Sequence, residues 1–463
     1  MSDFIPPYPP RLRAEPWPWN RLRLARVNTV AIWEESAFDL DFSHERVFTR
    51  RTFLCNSPES VRFAFNIRNA SFERKGPQTR HALKPLIGDS MFITDGEPWR
   101  QRRQIVAPIL HASRLGEFAK VMVETADELG RRWAVQTGEI DVLEEMAHLA
   151  AEIICRATFG RQLGRDYTGE TFQSFTEYQE AISQIDLISF LGLPDWMPRF
   201  RKAKVRRAQR RIHDVLEAMI ADYRSRPPTE EASVISRLLD ARDANGKPLD
   251  EVTLRNEAAM LFLAGHETTA NTMAWVWFLL SQCPEAEARV HAELDEVLGG
   301  RLPTLADLRH LTYTQAVIEE TLRLYPPLPI LPREVLQEEM FNGVRIPKGS
   351  MIFVVPWLLH RHRRLWDRPD HFIPERFLPG SKEPVSKYAF VPFSIGPRVC
   401  VGQSFALTET ILCIATLAQH FRPRLRPGHV VEPVCRLTLR PNGGLPMTIV
   451  PRSNMPLAEP VLT

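Results

Sequence analysis

Between Val391 and Gly402 the chain places Phe393, Gly396, Arg398, Cys400 and Gly402 at the spacing F-x-x-G-x-R-x-C-x-G. A cysteine in this setting can present a thiolate to a flat cofactor face. The glycines let the backbone approach that face closely, because no Cβ holds it away. A helix beginning just after Cys400 would aim its free amides at the sulfur, lowering the thiol pKa and moderating its electron donation. Arg398 is placed to meet a cofactor carboxylate, ideally through two guanidinium nitrogens. A small buried apolar side chain is the ordinary alternative for any one cysteine. Five fixed positions in ten argue against it here.

A second constellation, Ala264-Gly265-His266-Glu267-Thr268-Thr269, sits inside the most apolar long segment of the chain. Glycine costs about 1 kcal/mol relative to alanine in a helix interior, so something must justify Gly265. Met260, Leu263 and Ala264 precede the polar residues at helical spacing and can share one face. Glu320 and Arg323 lie one helical turn apart and so are neighbours on its surface. Glu59/Arg62, Glu97/Arg100 and Glu128/Arg131 have the same spacing. What singles out Glu320/Arg323 is the Tyr325-Pro326-Pro327 that follows, and the later Pro374-Glu375-Arg376-Phe377.

The cysteine loop resembles the heme-binding loop of the cytochrome P-450 family, with Ser394 standing where that family usually has glycine. The resemblance runs from about Thr52 to Leu439 and is most specific from Asp250 to His420. It implies heme b as cofactor, with the Cys400 thiolate as the metal ligand. It implies that the helix carrying Ala264 and Gly265 crosses the distal heme face, the small pair leaving space for dioxygen. Glu267 and Thr268 match the family's catalytic acid–alcohol pair, which hydrogen-bonds the bound oxygen and feeds it protons through water. Trp99 and Arg103 fit the family's W-x-x-x-R, and Arg333 follows the proline run PPLPILPREV. With Arg398 these would supply donors for two heme propionates, whose charges need pairing once buried. Glu320, Arg323 and Arg376 are implied to form a buried structural triad. By position, residues 76–99 and the segment LISFLGLPDWMP should form a lid over the substrate. Leu328, Ile330 and Leu331 should line the pocket wall with Met260, Leu263 and Ala264.

The activity so implied is that of a monooxygenase inserting one atom of O2 into an apolar organic substrate, by hydroxylation or epoxidation. Two rival classes are a peroxygenase or isomerase built on the same heme-thiolate, and a heme sensor or carrier of apolar ligands. The presence of both Glu267 and Thr268 argues against each. No G-x-G-x-x-G fingerprint occurs and no residues remain for a flavin domain, so electrons are expected from a separate ferredoxin-type protein served by a reductase.

These residues need a scaffold. The 463 residues carry 59 basic and 56 acidic side chains, a net charge of +3 that suggests no nucleic-acid partner. Six scattered cysteines show no C-x-x-C pair, which points to neither a zinc site nor a disulfide framework and fits a reduced, cytoplasmic setting. Neither a signal peptide nor a transmembrane anchor is read in the sequence, and a monomer is expected. The basic run Arg199, Arg201, Lys202, Lys204, Arg206 and Arg207 reads as a solvated helix face before a membrane or acidic-substrate contact.

A long helix should start at Asp250, whose side chain can cap it, and stop before Pro284, spanning roughly 50 Å. PEAEARVHAELDEVLG and TYTQAVIEETLRLY read as two more helices, and helix returns after Cys400. The stretch around Asn342–Gly343 and Lys348–Gly349 reads as short strands and turns. From His360 to Val399 the chain has little periodicity and much proline, as expected of a segment that wraps a cofactor. The proline-rich start is expected to be non-helical. The fold class is therefore mainly α with a small β subdomain, an α+β arrangement. The resemblance makes it a cytochrome P-450 fold, with the heme sandwiched between the long helix and the cysteine loop. Residues 1–50 form a proline-rich N-terminal segment and 51–463 one domain, a helical part interlocked with a sheet-rich part.

Overall fold

The computed structural model describes residues 3–14, 16–47, 49–160, 173–175, 177–178, 203–225, 233–242, 246–381 and 385–452. The expected lid segment LISFLGLPDWMP lies outside the described residues, as do Arg199, Arg201 and Lys202 of the basic run; Lys204, Arg206 and Arg207 are exposed.

The longer helices are α1 (Pro18–Val27), α2 (Pro77–Ile87), α3 (Gly96–Val106), α4 (Leu115–Ala134), α5 (Val142–Phe159) and α6 (Ala203–Ser225), followed by α7 (Glu251–Gln282), α8 (Pro284–Leu298), α9 (Thr312–Leu324) and α10 (Gln403–Ala418). Pro18, Pro77 and Pro284 each open a helix, where a missing N–H breaks no bond. That tolerance corrects the expectation of a non-helical start: α1 begins inside the proline-rich segment.

The expected long helix is α7. Asp250 Oδ1 accepts the Thr253 N–H at 2.8 Å, and the helix ends two residues before Pro284. Its apolar residues lie on almost every side, so it must be enclosed rather than laid on a surface. It packs against α2, α5, α6, α9 and α10. Gly265 has its justification here. A Cβ at that position would come within 3.0 Å of Ile154 Cδ1 on α5, so the glycine lets two central helices approach.

The strands are β1 (Phe42–Val47), β2 (Arg50–Cys55), β3 (Arg74–Lys75), β4 (Glu139–Asp141), β5 (Leu331–Glu334), β6 (Glu339–Phe341), β7 (Val344–Ile346) and β8 (Met351–Val354), then β9 (Phe421–Leu425), β10 (Pro433–Cys435), β11 (Leu439–Pro441) and β12 (Pro446–Pro451). The largest sheet has the order β1-β2-β8-β5-β3, parallel only between β2 and β8. Asn342 and Gly343 both have positive φ, 47° and 76°, which is what the two-residue turn between β6 and β7 requires. Phe53, Cys55, Val61, Phe65, Ile352 and Val354 form a small apolar core beside this sheet, separate from the large helical one.

The segment before β1 is laid across the middle of the fold. The Phe372 N–H donates to Phe4 O at 3.1 Å, and the Tyr325 hydroxyl donates to Pro7 O at 2.8 Å. Tyr325 in turn stacks on Trp275 of α7, ring centroids 3.8 Å apart. No helix among the described residues is long and apolar enough to cross a membrane.

Candidate active site

The cysteine segment has the irregular backbone that its glycines and proline suggest. The Cys400 N–H reaches back to Phe393 O at 2.9 Å, closing the loop, and α10 begins at Gln403. Gly396 has φ +76°, and a Cβ there would fall 1.9 Å from the Phe65 carbonyl oxygen. Its role is therefore to let the loop lie on the small core. It does not line the cavity, although the motif placed it with the cofactor residues. Ser394, in the position usual for glycine, also has positive φ, 63°.

The Cys400 sulfur faces a cavity enclosing about 250 Å³ between the cysteine loop and α7. The Gly402 N–H favours the thiolate, as expected of the helix start, and so do Arg103 and Lys75. Burial outweighs them in the bare chain and pushes the thiol up rather than down. The expected lowering is thus present as a set of contacts but not as the net result, because burial of the sulfur is the larger influence.

Every other cofactor residue inferred from sequence lines this cavity: Trp99, Arg103, Ala264, Gly265, Arg333, Phe393, Arg398 and Gly402. So do Met260, Leu263, Leu328 and Leu331 of the expected substrate wall, whereas Ile330 does not. Of the expected lid, Leu83, Ile87, Met91 and Phe92 face the cavity.

Four cations converge on one edge. Arg103 Nη1 donates to Val399 O at 2.9 Å, and Arg398 donates to Thr94 O at 2.8 Å and Phe92 O at 3.3 Å. Arg333 lies over the Phe65 ring, and Lys75 Nζ lies 4.3 Å from the centre of the Phe92 ring. Lys75 and Arg333 are direct partners in the antiparallel β3–β5 pair, a cross-strand juxtaposition of like charges that is unfavourable by itself. Burial lowers Lys75 well below its ordinary value and Arg333 to about 9. None of the four forms an ion pair with a carboxylate among the described residues. A flat group with a metal at its centre and two carboxylates at its edge fits this arrangement: sulfur below, unpaired cations beside, apolar wall above. Sequence reasoning missed Lys75, which has no motif around it; its one signal was a basic pair in a two-residue strand.

On the opposite wall, Thr268 Oγ1 donates to Ala264 O at 2.7 Å, back into its own helix. Glu267 instead leans to a distant turn, accepting from Thr438 Oγ1 at 2.6 Å. The acid and alcohol therefore line one cavity while hydrogen-bonding to different groups.

The Glu320–Arg323 pair is fully buried, with Arg323 Nε and Nη2 on the two carboxylate oxygens at 2.6 and 2.7 Å. Arg323 also donates to the carbonyls of His360, Pro369 and His371, and the Ile373 N–H donates to Glu320. Arg376 is the outer member, 3.6 Å from Glu320. The pair thus pins the irregular segment that precedes the cysteine loop and stands apart from the cavity. Of the sequence decoys, Glu97/Arg100 is an exposed surface contact.

A family model described as "Cytochrome P450" matches residues 41–446. Curated relatives include cyclooctatin synthase of Streptomyces melanosporofaciens, 32% identical over 86% of both chains. Cyclooctat-9-en-7-ol 5-monooxygenase of the same organism is 32% identical over 92% of this chain and 93% of its own. Pentalenene oxygenase of Streptomyces avermitilis is 30% identical over 79% of this chain and 80% of its own. Among solved structures, the retinoic acid bound cyanobacterial CYP120A1 superimposes with a TM-score of 0.79 at 26% identity, covering 89% of this chain and 92% of that one.

Proposed function

The chain belongs to the cytochrome P450 family, and from that premise we propose that it oxygenates an apolar terpenoid, using electrons from a separate ferredoxin-type protein. It is a cytochrome P450 monooxygenase, an oxidoreductase whose cofactor is heme b. When bound, the heme supplies dioxygen activation and the transfer of one oxygen atom to an unactivated C–H or C=C bond.

The chain's own residues do the rest in this reading. The Cys400 sulfur would hold the iron, and electron donation from a thiolate favours O–O cleavage. Arg103, Arg333, Arg398 and Lys75 would hold the two propionates, exchanging a cluster of like charges for paired ones. Trp99 lies beside them, 4.6 Å from the Arg398 guanidinium. Met260, Leu263, Leu328 and Leu331 shed water and hold a hydrocarbon by contact area alone. Thr268, released from the Ala264 carbonyl, can orient a water at the distal wall, and Glu267 can take a proton from solvent and hand it on.

The observation that carries this reading is one apolar cavity with the Cys400 sulfur on one wall and Glu267 with Thr268 on the other. The substrate class draws support from the terpene-derived names of two bacterial relatives, including pentalenene oxygenase. The test is incubation of the heme-loaded enzyme with cyclic terpene hydrocarbons, ferredoxin, reductase and isotopically labelled dioxygen. A product carrying one labelled oxygen, and its loss in Thr268→Ala with continued consumption of reductant, is the expected result. Turnover driven by peroxide alone, indifferent to Thr268→Ala, would make this a peroxygenase. Binding and oxidation of straight-chain acids in place of terpenes would refute the substrate class.

A further inference from the structure

Thr438 lies in the turn between β10 and β11, next to Leu437, and both residues border the cavity. Its hydroxyl donates to Glu267 Oε1 at 2.6 Å and accepts from Asn271 Nδ2 at 3.0 Å. A hydroxyl has one proton to give, and Asn271 has none but donors on its amide nitrogen. Once Asn271 occupies a lone pair of Thr438, the proton is directed at Glu267. Asn271 stands one helical turn beyond Glu267 on α7, so the helix itself sets the spacing of the two groups that meet Thr438.

The turn is anchored on both sides. The Leu439 N–H donates to Pro327 O at 3.0 Å, the Trp275 indole donates to Leu439 O at 3.3 Å, and the Cys435 N–H donates to Asn28 Oδ1 at 3.0 Å. Between these anchors lie Arg436, Leu437 and Thr438; Leu437 and Thr438 border the cavity, and Leu437 is the apolar side chain a substrate would press.

We propose that Thr438, aimed by Asn271, is a positioning residue for the Glu267 carboxylate, and that the Leu437–Thr438 turn couples the place of that carboxylate to an occupant of the cavity. The inference rests on the reading of Glu267 as the proton source. A hydrogen bond to a carboxylate is short, directional and stronger than a neutral one, so it fixes one rotamer of a flexible side chain. Without it the carboxylate loses a short, directional partner and spends less time within reach of a water at Thr268, which lowers the yield of proton delivery. A substrate pressed on Leu437 moves the adjacent Thr438, and with it the carboxylate, so protons are handed over when there is something to oxygenate.

The test compares Thr438→Val, Thr438→Ser and Asn271→Ala in the heme-loaded enzyme, with Glu267→Gln as reference. In Thr438→Val, peroxide released per electron pair should rise roughly threefold to tenfold, short of the roughly 100-fold or greater effect of losing a proton-transfer group outright. Substrate affinity, read from the substrate-induced absorption shift, should change less than about twofold, since the lost hydroxyl bonds Glu267 and Asn271 and a hydrocarbon is held by apolar contact area. The acid limb of the pH–rate profile should move up, because the carboxylate has lost a donor to its charged form. The titratable neighbours Cys435 and His266 stay neutral over that range. Burial pushes the thiol up to about 12 and the imidazole down to about 4, and Arg436 on the turn is exposed. The C–O stretch of the carbon monoxide complex, followed against pH, reports the same change without turnover.

Thr438→Ser should restore all three readouts. Asn271→Ala, which keeps the hydroxyl but not its aim, should show a smaller change in the same direction. Unchanged peroxide release and an unmoved pH profile in Thr438→Val would overturn the proposal. So would a loss of substrate affinity with coupling intact, which would make Thr438 a plain wall residue. If Glu267→Gln itself leaves coupling intact, the proton-source reading falls and takes this inference with it.

Discussion

The Glu257 carboxylate accepts the backbone N–H of Met91 at 2.9 Å, tying the first half of α7 to the loop that carries Met91 and Phe92 over the cavity. Arg102 of α3 shares the same oxygen at 3.1 Å, while the second carboxylate oxygen has no partner among the described residues. Burial is the main influence and raises the carboxyl to about 7 against the opposing pull of Arg102 and Met91.

This carboxyl should leave a mark on stability. Its pKa is raised, so the folded chain holds a proton at pH values where the unfolded chain has released it. The folded state therefore loses stability as pH rises from 4.5 to about 7, by roughly 3 kcal/mol from this group. Thermal melts across that range should show a shallower decline for Glu257→Gln than for the wild type. Parallel curves would refute the assignment.

Arg333 should behave in opposite ways with and without cofactor. In the bare chain it is a buried cation facing Lys75 with no carboxylate partner among the described residues, so Arg333→Leu should leave the apoprotein at least as stable. In the loaded enzyme it should cost roughly 1.5–3 kcal/mol, the value of a hydrogen bond to a charged group. The measurement is the difference in melting temperature on adding heme, which should be smaller in the variant.

Two neighbouring positions with positive φ should respond oppositely to substitution. Gly396→Ala drives a Cβ into the Phe65 carbonyl and should prevent the cysteine loop from seating, with loss of heme retention on a desalting column. Ser394→Gly relieves a side chain from the left-handed region and should stabilise the fold by about 1 kcal/mol. A destabilised Ser394→Gly would mean that its hydroxyl does more than the packing suggests.

Glu320→Ala should cost roughly 3–5 kcal/mol, the penalty of leaving the fully buried Arg323 without its carboxylate. Because the pair lies away from the cavity, whatever enzyme remains folded should keep its substrate affinity. An affinity loss larger than the loss of folded protein would contradict a purely structural role.

What the sequence made legible was local. Cys400 and its glycines, the Glu267–Thr268 pair and the Asp250 and Pro284 limits of α7 are all patterns within a few residues, where spacing and backbone chemistry decide the outcome. What stayed hidden depends on partners far along the chain. Thr438 reaches Glu267 across 171 positions, and Glu257 reaches Met91 across 166. Gly265 looked like room for a ligand, but its missing side chain also admits Ile154 from another helix. Gly396 was read with the cofactor because its motif is contiguous, whereas its backbone is shaped by Phe65.

The strap of residues 4–12 lies across partners that are synthesised much later. Arg11 pairs with Asp370, 359 positions on, and Pro7 waits for Tyr325. At translation rates of roughly 5–20 residues per second, that interval is about 20–70 s. During it Arg11 and Leu12 can already engage Glu35 and Trp33, but the contacts to Tyr325, Asp370 and Phe372 cannot yet form. The strap is made early and docked late, so anything fused in front of Phe4 would be present before the surface it must avoid has formed. The chain is fastened across its own middle near the close of its synthesis.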